Sequence, residues 1–401
     1  MFDPASVRFR GPLKAHVGGF WRELLRLRYS PLSAGNLLRV AAHFSRWLED
    51  RSLAAGDISD ERAVAFMVRR RAEGYTQFLS PRALGPLVGY LRGIGITPPS
   101  APTIIASPVD QLLFDYAGYL ARERGLVGST IRGYTDFARR FIAQRPAGVR
   151  LKWGQLKPAY IIGFVLREAR RWGVGRAKLQ VTQLRSLLRY LHAEGHIRRD
   201  LACCVPAVAG WRLAGIPKGL ETDQVRQMLE VCDSRSPIGR RDAAMVCLMV
   251  RLGLRAGDVA ALMLDDLDWR AGEITLRGKG RRESRLPLPH DVGRALAAYL
   301  RARGASTDDR RVFLRSRAPY TPLTTGGVNG AVRGVLRRSG IAGGTHRLRH
   351  TAATQMLRHG ASLPEIGHVL RHRHMDTTAI YAKVDFASLR TLAQPWPGGD
   401  L

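Results

Sequence analysis

The sequence predicts a mainly α-helical protein with a small β-hairpin or sheet in its C-terminal part, an α+β domain preceded by two helical bundles. Three observations carry this. Apolar residues recur at three- and four-residue intervals through the first half. One alternating strand pair flanks Gly278-Lys279-Gly280. Two proline-rich breaks divide a chain of 401 residues, too long for one core.

The first half contains an internal repeat. Ser33 through Phe44 and Trp47 carry the apolar stripe of Thr130 through Phe141. Ala65-Phe66-Met67-Val68-Arg69 parallels Gly163-Phe164-Val165-Leu166-Arg167, and Leu84, Leu87, Tyr90-Leu91 and Gly95 parallel Leu184, Leu187, Tyr190-Leu191 and Gly195. The offset drifts slowly, as it does when only loop lengths change, so both copies read as bundles of amphipathic helices. Pro98-Pro99-Ser100-Ala101-Pro102 separates them as a linker, and a second break runs from Val205-Pro206 to Gly215-Ile216-Pro217. The expected domains are residues 1–104, 105–205 and 206–401. In the last, Glu273-Ile274-Thr275-Leu276 and Ser284-Arg285-Leu286-Pro287-Leu288 form the hairpin. One helix spans 346–359, with Thr345 as N-cap and Gly360 as its stop.

Charge narrows the function. Lys and Arg number 64 against 33 Asp and Glu, a net +31. Such an excess draws polyanions, and duplex DNA, with one negative charge per ~1.7 Å of axis, is the densest common one. The longest apolar run, Ala243 to Val250, is far short of the ~20 residues of a membrane helix. Met1-Phe2-Asp3-Pro4 lacks a signal pattern, so a cytoplasmic, nucleoid-associated location is expected. Cys203 and Cys204 are adjacent while Cys232 and Cys247 stand alone, which gives no metal or redox spacing.

The chemistry concentrates in the C-terminal part. His346 and Arg349 share a face near a helix N-terminus, where anions are favoured. The pair alone is more often an ordinary solvated basic helix end. Arg255 sits against the dipole at the start of another helix, with Asp258 three residues on to hold it. Lys279, at a hairpin tip between glycines, can reach into a minor groove and protonate a leaving oxygen. His372 and Tyr381 complete the set, although a lone tyrosine is usually a packing residue. His368, His372 and His374 with His346 and His350 raise a metal site. No His-Glu-x-x-His frame is present, however, and Arg371 and Arg373 interleave the cluster with positive charge. No P-loop sequence occurs. No metal and no cofactor are therefore expected.

Arg255, Lys279, His346-x-x-Arg349, His372 and Tyr381, in that order and spacing, resemble the tyrosine recombinase (phage integrase) family. Gly-Leu-Arg followed by Asp258, and His-x-Leu-Arg-His before Thr-Ala-Ala-Thr, match as well. Arg371 stands where that family usually has glycine. The resemblance covers about 206–384, and the helical block before it is similar to the family's core-binding domain, a SAM-like DNA-binding bundle.

The resemblance implies a clamp on double-stranded DNA and a homo-tetramer, or a hetero-tetramer with sister recombinases. It implies that Tyr381 attacks the phosphate to form a 3′-phosphotyrosyl bond without metal or ATP. Arg255 and Arg349 would grip the non-bridging oxygens, Lys279 would be the general acid, His346 an acid/base near the tyrosine, and His372 a hydrogen-bond donor to the phosphate. Asp258 would support Arg255. A tail bearing Phe386, Leu389, Leu392 and Trp396 would dock on a neighbouring subunit or on its own domain. A type IB topoisomerase, which relaxes supercoils without a specific site, and a non-catalytic DNA-binding protein remain alternatives.

Overall fold

The computed structural model describes residues 3–98, 107–146, 148, 151–171, 173–209, 219–277, 283–303, 309–372, 374–385 and 389. The chain divides into two compact units, residues 1–100 with 215–401, and residues 101–214. Most of both proline-rich breaks, the hairpin tip with Lys279, and the tail residues Phe386, Leu392 and Trp396 lie outside the described residues.

The N-terminal part of the first unit is built from α1 (Val17–Arg26), α2 (Pro31–Glu49), α3 (Asp60–Ala72) and α4 (Gly85–Gly93). The unit 101–214 is built from α5 (Pro108–Arg122), α6 (Gly128–Ala143), α7 (Pro158–Arg171) and α8 (Val174–Ala193). Serine followed by proline opens α2 and α5: Ser30 accepts from the Ser33 N–H and Ser107 from the Asp110 N–H, while the proline fills the first turn, where an N–H would go unused. Positions matched by the repeat carry the same load in each bundle. Phe44 meets Phe66 with ring centroids 4.9 Å apart, and Phe141 meets Phe164 at 4.9 Å. Leu84, Leu87 and Leu91 are buried in one core, and Leu184, Leu187 and Leu191 in the other. Gly95 and Gly195, each just past its helix, take φ of 73° and 72°.

The C-terminal part of the first unit contains α9 (Thr222–Glu230), α10 (Pro237–Arg251) and α11 (Ala256–Ala261). An antiparallel sheet follows, ordered β1 (Leu267–Asp268), β2 (Glu273–Arg277) and β3 (Glu283–Pro287). Pairing of Arg277 with Glu283 and Glu273 with Pro287 sets the hairpin register, and Ile274, Leu276 and Leu286 face the core. The two-residue β1 carries too little alternation to read from sequence. Helices α12 (His290–Arg303), α13 (Thr325–Arg338), α14 (His346–Arg358) and α15 (Leu363–Val369) complete it. The apolar run of α10 is the axis of this core: Ala244 through Val250 are buried, and α11, α12, α13 and α14 pack on the helix. Among the described residues no helix is long and apolar enough to cross a membrane.

Candidate active site

Helix α14 is the platform of the site. Leu348, Thr351, Ala352 and Ala353 are buried on its inner face, and small residues there let the backbone come close. The Thr351 hydroxyl accepts from the Leu220 N–H at 2.7 Å, which ties the helix to the entry of the domain. Gly360 ends it at φ 87°, as expected of a left-handed stop. The expected cap at the other end is not made. Thr345 has helical φ/ψ and its hydroxyl donates to Asn329 Oδ1 at 2.7 Å, so the first turn of α14 keeps its N–H groups free of a side-chain cap from Thr345.

From this platform Arg349 points inward and is 7% exposed. Its Nη1 donates to the carbonyl of Gly253 at 2.5 Å and its Nη2 to the carbonyl of Leu370. One guanidinium thereby joins the turn before Arg255 to the turn before His372. Two of its five N–H donors serve the fold, leaving the rest of the fork for a ligand. Burial, and next the charge of Arg255, pull its pKa down to about 10, so it stays cationic at neutral pH.

Arg255 is the exposed N-cap residue of α11. Asp258 does not hold it by the expected charge-assisted bond to its side chain. The carboxylate accepts from the Arg255 backbone N–H at 3.0 Å, and the guanidinium it pairs with is that of Arg371. Arg371 itself has φ 53°. Its N–H bonds to the His368 carbonyl and the His372 N–H to the Gly367 carbonyl, each at 2.9 Å. That pair of bonds is the Schellman ending of α15, a place where glycine is the usual occupant.

His372 leaves this turn with Nδ1 2.7 Å from the hydroxyl oxygen of the fully buried Thr378. Burial, followed by the charges of Arg349 and Arg255, pushes its pKa down to about 4. The ring is therefore neutral at physiological pH. The Thr378 hydroxyl and Nδ1 share this one hydrogen bond, and Nε2 takes no part in it.

Tyr381 lies in a 3₁₀ segment, Ala379–Val384, and is only 2% exposed. Burial raises its pKa, and the opposing pull of Arg349 is the smaller effect, so the phenol is protonated in this state. Its Oη is 3.0 Å from Nδ1 of His350, with the two rings edge to face at 5.7 Å. Burial lowers the pKa of His350, and His346 and Arg349 lower it further.

Of the residues singled out by sequence, Arg255, Asp258, Arg349, His372 and Tyr381 are drawn together by these turns. His346 is exposed at the first residue of α14, and Lys279 lies outside the described residues. The sequence reading placed His346 beside the tyrosine; the residue hydrogen-bonded to Tyr381 is His350, one helical turn on. The two histidines, at i and i+4, lie on one helix face, so spacing alone does not say which of them meets Tyr381. Among the described residues no group of three or more His, Cys, Asp or Glu is placed to hold a metal ion.

Residues 218–388 match the model of the phage integrase family. The chain is 42% identical over 397 residues to y4rA of Sinorhizobium fredii, named as an integrase/recombinase, covering 97% of this chain and 95% of that one. It is 30% identical over 285 residues to tyrosine recombinase XerD of Listeria monocytogenes, covering 69% and 95%. Its fold is similar to that of a λ integrase tetramer bound to a Holliday junction, with TM-score 0.51, 17% identity, and 77% and 85% of the two chains covered. The chain belongs to the tyrosine recombinase (phage integrase) family and is a site-specific, DNA strand-transferring enzyme.

Proposed function

We propose that the enzyme cuts and rejoins duplex DNA through a 3′-phosphotyrosyl bond to Tyr381, with neither metal nor nucleotide. Tyr381 Oη attacks the scissile phosphorus and the 5′-oxygen leaves. Arg349, through the N–H groups not used on Gly253 and Leu370, and Arg255, exposed beside it, hold the non-bridging oxygens. His372 donates from Nε2, and Lys279 protonates the leaving oxygen. His346, at the N-terminus of α14, adds a second donor at the phosphate. Because the covalent bond conserves the phosphodiester, rejoining needs no ATP.

The observation that carries this reading is the enclosure of Tyr381 beside α14, its hydroxyl bonded one residue away from the buried Arg349. The three-domain division at 104 and 205 belongs to the same reading, with the N-terminal bundle a duplicate that adds DNA contact. Equal placement of Phe44–Phe66 and Phe141–Phe164, and of Gly95 and Gly195, supports it. On DNA the enzyme acts as a tetramer, of one chain or with sister recombinases, in the cytoplasm at the nucleoid. The λ integrase tetramer supports the assembly.

The test is to trap protein–DNA adducts under denaturing conditions, on DNA that includes the gene's own flanks, and to sequence the attached ends. Adducts with the wild type, none with Tyr381→Phe, and clustered ends are expected. Adducts in both proteins, or in neither, overturn the assignment of the nucleophile.

A further inference from the structure

We propose that the N-terminal bundle holds a binding site for a guanine base. A cavity of about 450 Å³ lies between α2 and α3, within the size range of small-molecule sites. Trp47 lines it and is 7% exposed. Arg70, 4% exposed, packs on three of the wall residues. Its guanidinium carbon is 4.0 Å from the ring centre of Tyr75 and 5.8 Å from that of Phe66, and its Nη1 is 2.9 Å from His43 Nδ1. Trp47 Nε1 and Arg70 Nε are both buried with no hydrogen-bond partner among the described residues, a state that folded chains seldom leave unexplained. His43 adds a third donor. A guanidinium can only donate, so Nδ1 accepts from Arg70 and the ring proton is on Nε2. Burial, then the charges of Arg46 and Arg70, lower the His43 pKa and keep that ring neutral.

The second bundle has the same place closed from within. In the repeat, Trp47 matches Gln144 and Arg70 matches Glu168. There the two positions carry a donor and an acceptor, and Gln144 Nε2 donates to Glu168 Oε1 at 3.4 Å. In the first bundle both positions carry donors. The acceptor that one copy supplies itself comes from outside in the other.

Charge and shape fix its class. Arg69 and Glu73 in the wall pair at 2.6 Å, and Arg10 and Arg46 are matched there by Glu49 and Asp50, so no net charge draws in a bare anion. The rings of Trp47, Phe66 and Tyr75 suit a flat group. The exposed carboxylates of Glu49 and Asp50 accept from N–H groups. Guanine carries acceptors, O6 and N7, on one edge and N–H donors, N1 and N2, on another. It therefore answers the indole, guanidinium and imidazole donors and the carboxylates together, whereas adenine has neither the carbonyl nor the N1 proton. The base can belong to a free nucleoside or to an unpaired position in DNA; the second source rests on reading this bundle as a DNA contact.

The test reads binding by the full chain and involves no cleavage, so its outcome is separate from that of the Tyr381 chemistry. Guanosine and adenosine are titrated calorimetrically. Saturable guanosine binding, at least about tenfold tighter than that of adenosine, is expected. Trp47→Phe keeps an aromatic ring and loses the N–H, and should weaken guanosine binding by about tenfold. Glu49→Lys together with Asp50→Lys changes only exposed positions and spares the fold; it should weaken guanosine by as much while raising affinity for paired DNA. Duplexes with one unpaired guanine, one unpaired thymine or neither are then compared at one salt concentration. A preference for unpaired guanine that Trp47→Phe abolishes assigns the site to DNA. Guanosine binding without that preference assigns it to the free nucleoside. The proposal is overturned by no saturable guanosine binding, by equal binding of adenosine, by competition from inorganic phosphate, or by guanosine binding that neither variant weakens.

Discussion

Asp258 and Arg371 are ion-paired across 113 residues of chain, and the same Asp258 oxygen accepts from the Arg255 N–H. The pair is largely buried, with 13% and 16% of the side chains exposed. It fixes the turn bearing His372 against the start of α11, which bears Arg255. It also explains a left-handed arginine. The strain of φ 53° at a β-carbon-bearing residue is offset by an ion pair that glycine could not make.

Arg371→Ala keeps the strain and loses the pair, whereas Arg371→Gly loses both. The glycine variant should therefore be the more stable of the two by about 1 kcal/mol, and both should be less stable than the wild type. Urea denaturation of the three proteins measures this. An alanine variant at least as stable as the glycine variant would contradict the account.

Gly253 takes φ 62°, and a β-carbon there would lie 2.3 Å from Leu370 Cδ2 and 3.3 Å from Ala352 Cβ. Gly253→Ala should cost about 3 kcal/mol, from backbone strain together with overpacking. It should also weaken cleavage by moving the carbonyl that Arg349 holds. Denaturation midpoints and adduct yield, measured side by side, check both.

Arg349→Lys keeps a charge and loses the planar fork. One ammonium cannot span the Gly253 and Leu370 carbonyls and a phosphate as well. Cleavage should fall by ~10³-fold or more, as on loss of other phosphate-clamping arginines. The melting temperature should fall too, which separates this position from a purely catalytic one. Near-normal cleavage would refute the clamp.

The pH dependence has a definite sign. His372 has its folded-state pKa depressed from 6.5 to about 4, so the unfolded chain binds the proton more readily. Its contribution to stability is complete above 6.5 and is lost as pH falls towards 4; His350, also depressed, acts in the same direction. His372→Gln should flatten the decline in stability across the upper part of that window, where few carboxylates titrate. An identical decline in both proteins would disprove it.

Much of this was legible in the sequence because periodicity and turn chemistry are local. The strand pair lies within a residue of its expected limits, and Gly360 stops α14. What escaped depends on contacts distant in sequence. Thr345 has the right side chain for a cap, but Asn329 claims its hydroxyl. Asp258 at i+3 from Arg255 suggests a side-chain pair, and only the fold brings Arg371 to it. His346 and His350 share one helix face, and only the fold shows that His350 is the one within 3.0 Å of the Tyr381 hydroxyl.

The burial of Tyr381 bears on what the protein does when no DNA is engaged. A protonated phenol shut inside the fold is poor prey for stray electrophiles and a poor attacker of the phosphoesters that crowd a cell. On the proposed reading, the group that attacks DNA is carried sheathed. Reagents that nitrate or iodinate accessible tyrosines would mark Tyr320, which is 39% exposed, well before they reached Tyr381, which is 2% exposed.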